Sequence, residues 1–340
     1  MSKHHIQAYK ILTIALFIAS CTSEKPRVDI EGSEVQLEVK RMEVDLFAET
    51  DRPLTAAEIE TLKEKYTGFY PLFVEGILAL GRAEDSTTAY YLNHFRADPA
   101  VIEIARKTEH TFPDFSTYQS DLNKAFCRFS VLFPERIIPA IYTFVSAFSY
   151  TIVVDDSILG IGLDLYLGRE EGKYELLGIP AYKIRKMNSA YLVGDAMRSW
   201  VGTEFEMPAE DQDLISHMIY QGKILYALDL LLPDTPDSLK VTFTADQLSW
   251  CEKNLVDMWF HLAENELLYS KDPKQIQKYM GDAPFTPGFP EGSPGMVGRW
   301  IGWQIVRKYM DQIDEPLNLQ HLFEQKDAQK ILHLSKFKPT

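Results

Sequence analysis

The chain has 340 residues, 46% of them hydrophobic and 25% charged, a balance that supports a packed core and excludes a disordered protein. Its net charge is −14 with a pI near 5.1, and no run of Lys or Arg exceeds two residues. Nucleic acid is therefore excluded as a partner, and adhesion to anionic lipid by charge alone is disfavoured.

The first element is a targeting segment. Lys3 and Lys10 make a positively charged start, and Ile11 to Ala19 is apolar apart from Thr13, which is too short for a bilayer span (~20 residues) but right for a secretory signal over 1–20. Residues 18–21, Ile-Ala-Ser-Cys, place a branched apolar residue and two small ones before a thiol and match the bacterial lipoprotein box. Cys21 is thus expected to be acylated and to become the first mature residue, held to a membrane by its acyl chains. Residues 21–33 are expected to form a lipid-anchored tether, and 34–340 a single α+β domain. Thr22, where inner-membrane retention in other bacteria uses aspartate, points to the outer membrane, facing the periplasm.

From residue 33 to about 130 the pattern is mostly helical, with start signals at Thr55–Glu58, a capping box, and at Asp98-Pro99. The segments 137–146, 150–157 and 158–168 are rich in β-branched and aromatic residues, and Asp155-Asp156-Ser157 supplies a turn, so a small sheet of three or four strands is expected. Helices follow over 188–205 and 211–232. Thr244–Gln247 caps a helix expected to reach about 267, Asp272-Pro273 opens a short one, and the Pro/Gly-rich stretch 284–295 reads as an irregular surface loop. Ser293 and Pro294 then start a helix over 295–310, whose Gly298 and Gly302 lie one turn apart and predict close approach of another backbone. Cys127 and Cys251 read as small core residues, although an exported protein could join them.

Helices, a small sheet, a helix and a second helix are the order found in zincin metalloproteases, with H-E-x-x-H on the first helix after the sheet. The slot here, 189–205, contains no histidine, and Gln221 on the next helix stands where a ligand glutamate would be. Asp195, Glu204, His217 and Gln221 are the polar candidates for a degenerate site, against the alternative that they are solvated faces and caps. No metal, no cofactor and no catalytic residue is expected. The segment "GREEGK" (168–173) is one residue short of a phosphate-binding loop and reads as a charged turn.

The lipoprotein box, "WVGTEF" (200–205), residues 221–270 and "APFTPGFPEGSPGMVGRWIGWQIVRKYM" (283–310) together resemble the gliding motility lipoprotein GldB family of Bacteroidota. The chain is also distantly similar to predicted zinc peptidases. The resemblance implies a predominantly helical, zincin-like fold. It also implies a lipid-anchored envelope protein of the gliding apparatus linked to type IX secretion, whose partners are the membrane, through its lipid, and other gliding and secretion envelope proteins. With H-E-x-x-H missing, the expected role is a non-catalytic scaffold or binding component; the alternative is a metal-dependent, peptidase-like hydrolase with an unrecognised site.

Overall fold

The computed structural model describes residues 27–33, 35–207, 212–290, 292–313 and 318–339. The signal segment, Cys21 and the tether up to residue 26 lie outside the described residues. Where the tether is described it is packed: Val28 is buried in the main core, Ile30 rests against it and Arg27 pairs with Asp234 at 2.9 Å. Burying one valine contributes roughly 1.5–3 kcal/mol, so the described end of the tether is fastened to the body of the protein.

The fold is predominantly helical α+β, 58% helix with one four-stranded sheet. Strand β1 (Val39–Arg41) is followed by α1 (Met42–Leu46), α2 (Ala56–Lys65), α3 (Phe69–Pro71) running into a π turn over Leu72–Ile77, α4 (Ser86–Ala97), α5 (Pro99–Thr111) and α6 (Ser116–Leu132). Next come β2 (Ala140–Phe144), β3 (Ile152–Asp155) and β4 (Ile158–Gly162), then two short helices, α7 (Lys173–Leu176) and α8 (Ala181–Ile184). The remainder is α9 (Leu192–Glu204), α10 (Leu214–Leu231), α11 (Asp237–Val241), α12 (Ala245–Lys253), α13 (Leu255–Glu264), α14 (Pro273–Met280), α15 (Val297–Met310), α16 (Leu319–Glu324) and α17 (Ala328–Ser335).

The predicted caps form. Thr55 and Glu58, and Thr244 and Gln247, make reciprocal capping boxes, while Asp98 and Asp272 accept from the amides of Ala100 and Lys274 ahead of a proline-started helix. The sheet runs β1-β2-β4-β3, with β1, β2 and β4 parallel and β3 antiparallel at the edge, joined to β4 through the turn at Asp156 and Ser157. Strand alternation sends Tyr142, Phe144 and Ile158 toward a core built by α1 to α4, and Ile141, Leu159 and Ile161 toward a larger core built around α6, α9, α10 and α15. Covered on both faces, the sheet behaves as parallel sheets usually do.

Helix α10 is the axle of the larger core: 14 of its 18 residues are buried, so it carries apolar residues all round. Its Gly222 meets α15 at Gly302, and a Cβ built on Gly302 would overlap the carbonyl oxygen of Met218. The close approach predicted for Gly302 is thus present, and Gly222 is its partner. Cys127 and Cys251 are buried free thiols.

Three local differences have clear causes. Helix 244–267 is two helices, divided where Asn254 leaves the helical range at φ −111° while its side-chain amide donates to the carbonyl of Trp250 at 2.7 Å. Helix α15 starts at Val297 rather than 295, since Met296 takes φ 59° and the Pro294 carbonyl accepts instead from Thr286 Oγ1 at 2.7 Å. The 284–295 loop is irregular but only partly on the surface: Thr286 is fully buried, and the Phe289 ring sits 5.0 Å from His261 and 6.1 Å from Tyr279. Strand β1 was not expected, as three residues including Lys40 and Arg41 carry no alternation of their own.

Candidate functional site

A cavity of about 290 Å³ opens between the end of α9, one face of α10 and α16. Ser216, Ile219, Tyr220 and Lys223 reach it because positions i, i+3, i+4 and i+7 share one face of a helix. Phe323 and Glu324 come from α16, which Asn318 caps by accepting from the His321 amide at 2.9 Å. Phe205, the C-cap of α9, stacks on Phe323 with centroids 4.0 Å apart, and the Arg136 guanidinium lies 4.9 Å over Phe205 while pairing with Glu204 at 3.2 Å. Tyr220 donates from its hydroxyl to the carbonyl of Gly202 at 3.1 Å, fastening α10 to α9.

Lys223 is the unusual member. It is only 6% exposed, its Nζ donates to the Gln325 carbonyl at 2.6 Å, and burial pushes its ammonium down to about 8. No ion pair of Lys223 is present among the described residues. Burying a cation without a counter-charge is costly.

A second charged cluster lies further along α10. Asp229 accepts from Trp303 Nε1 at 2.9 Å, from Arg307 Nε at 2.7 Å and Nη2 at 2.8 Å, and from Lys240 Nζ at 3.0 Å. Asp237 adds a 2.8 Å pair to Arg307, whose guanidinium lies 3.7 Å from the Trp303 ring centroid. Burial opposes the charge on Arg307, yet the two carboxylates raise it above its ordinary value. This network is filled by its own members and ties α10, α11 and α15 together.

A third buried acid, Asp164, accepts from the amides of Ser146 and Phe148 at 3.2 and 2.6 Å and holds Ala147 and Phe148 at φ 54° and 68°. Its Oδ1 has no hydrogen-bond partner among the described residues, and burial pushes the carboxyl up to about 7. Glu43, also buried and also raised by desolvation, accepts from Thr143 Oγ1 at 2.7 Å.

The four candidates from the sequence are spread over this region. Glu204 lines the cavity. Asp195 lies nine residues earlier on α9, roughly 13 Å along the helix, where it pairs with Arg198 at 2.7 Å and accepts from the Tyr166 hydroxyl at 3.1 Å. His217 and Gln221 are half-buried on α10 outside the cavity lining, and burial lowers the affinity of His217 for a proton. Among the described residues no group of three His, Cys, Asp or Glu side chains is placed to hold a metal. Lys223 was missed: a lone lysine in "YQGKILYALD" has no motif, and the only signal was that it is one of two charges, with Asp229, in a mostly apolar helix.

The fold and cavity define a helix-rich α+β domain with a small side pocket, and no described helix is long and apolar enough to cross a membrane. A family model described as gliding motility protein GldB matches residues 23–339, and the chain belongs to that family, a lipoprotein family by its name. Neither the curated proteins nor the solved structures contain a match.

Proposed function

We propose that this gliding-motility family member is a lipid-anchored cell-envelope component, tethered through Cys21 at the periplasmic side of the outer membrane, that serves the type IX secretion-linked apparatus by binding other envelope proteins rather than by catalysis. The observation carrying the non-catalytic reading is the state of α9, the helix that would bear a zincin's ligands. It has no histidine, its Asp195 is engaged by Arg198 and Tyr166, and Glu204 is engaged by Arg136. A carboxylate already neutralised by an arginine is poorly placed to activate water or hold a cation.

The test is complementation of a deletion strain. Loss of the gene should abolish spreading; Cys21→Ala should release the protein from the membrane and fail to restore it. Asp195→Ala, Glu204→Ala, His217→Ala and Gln221→Ala should each restore spreading at wild-type abundance. Loss of spreading by any of these four, with the protein folded and abundant, would overturn the non-catalytic reading.

A further inference from the structure

Deepening the binding-component reading, and resting on it, we propose that the cavity between α9, α10 and α16 is a binding site for a monocarboxylate carried on an aromatic or apolar group, with Lys223 as the carboxylate's counter-ion. Lys223 is more than nine-tenths buried, lines the cavity and, among the described residues, donates to one neutral partner, the Gln325 carbonyl. An ammonium has three donors, and a carboxylate entering the cavity would take up a spare donor and supply the missing negative charge. A charge-assisted bond to a buried ammonium is stronger than its neutral equivalent.

The remaining walls select the rest of the ligand. Phe205 and Phe323, stacked on each other, line the same cavity as Lys223 and give it an apolar aromatic wall, which an aromatic or apolar group can pack against. Apart from Lys223, the lining carries Glu204, Glu206 and Glu324 against Arg136 and Lys326, with Glu204 paired to Arg136, so it adds no net positive charge for a multiply charged anion such as phosphate, and one negative charge is the best match. At about 290 Å³ the space lies at the small end of ligand pockets, ~300–1,000 Å³, and fits an acylated amino acid or the last residue of a peptide.

The mature protein in detergent is titrated by calorimetry with N-acetyl-L-phenylalanine, with a pentapeptide ending in phenylalanine, and with the C-terminal amide of each. The carboxylates should bind and the amides bind at least tenfold more weakly. Lys223→Met should lose carboxylate binding while melting no lower than wild type, and Lys223→Arg should retain part of it. Tighter binding of the peptide than of the acyl amino acid identifies a protein C-terminus as the source of the carboxylate, and the reverse identifies a small molecule. No binding of either carboxylate, equal binding of the amides, or unchanged binding by a folded Lys223→Met would overturn the proposal. Spreading assays do not use these probes, so failure here leaves the scaffold reading standing, and failure there leaves the measured binding standing.

Discussion

Removing the carboxylate of Asp229 tests how the larger core is held. Lys240 is fully buried, Asp229 is 5% exposed, and Arg307 is held at 2.7 Å by that same carboxylate. With Asp229→Ala, Asp237 still pairs with Lys240 at 3.9 Å and with Arg307 at 2.8 Å, but the close 3.0 Å pair to the buried ammonium is lost. Breaking a buried pair by deleting one partner costs roughly 3–5 kcal/mol. At about 2–4 °C per kcal/mol for a large domain, the melting temperature should fall by about 6–20 °C. The decisive comparison is a double-mutant cycle read by circular dichroism melts. Lys240→Met placed on Asp229→Ala removes the stranded ammonium and should recover about 1 kcal/mol or more of the loss. A drop below about 1 kcal/mol for Asp229→Ala, or strict additivity of the two substitutions, would refute the claim that desolvated charge dominates this site.

Three further outcomes are expected. Gly302→Ala should destabilise by ~1–3 kcal/mol in urea, despite a gain of ~1 kcal/mol in helix propensity, because its Cβ meets the Met218 backbone; Gly194→Ala on α9, with nothing nearer than 4.0 Å, is the control and should stabilise by up to ~1 kcal/mol. Asp164, pushed up to about 7 in the fold against ~3.9 in the unfolded chain, holds its proton more tightly when folded, so stability should fall as pH rises from about 4 to 7, by up to ~4 kcal/mol. Asp164→Asn should remove that decline and melt higher than wild type at pH 8. Lys223 is pushed down to about 8 against ~10.4 unfolded, so its charge destabilises the fold by up to ~3 kcal/mol below pH 8, and stability should recover between pH 8 and about 10.4. Lys223→Met should show that gain already at pH 7, and carboxylate binding to wild type should weaken above pH 8. Arg136, Lys326, Tyr220, Glu204, Glu206 and Glu324 also line the cavity, and wild type minus Lys223→Met isolates the lysine.

Much of the architecture was legible in the chain because local chemistry decides it. Capping boxes at Thr55 and Thr244, prolines at 99 and 273, and the turn at 156–157 act over four residues or fewer, and each appears where the spacing placed it. Strand β1 exists only because β2 offers it a parallel edge, with Val39 opposite Ile141. The start of α15 was displaced by a hydrogen bond from Thr286, and the long helix after 244 was divided at Asn254, whose backbone leaves the helical range.

The candidate site divides in the same way. Sequence alone placed the chain in its family, named Glu204 among four polar candidates, and made Gly302 a point of close contact, since segment resemblance, polar residues near an empty motif slot and a helical glycine are all read locally. Tertiary structure separated Asp195 from Glu204 by giving each its own arginine, kept His217 and Gln221 out of the cavity, and paired Gly302 with Gly222. It alone showed that Lys223 is buried beside Phe205 and Phe323 while Asp229, six residues on, is saturated with cations. Burial and counter-charge are properties of what α9, α11, α15 and α16 bring to the surface of α10, and no window along α10 contains them.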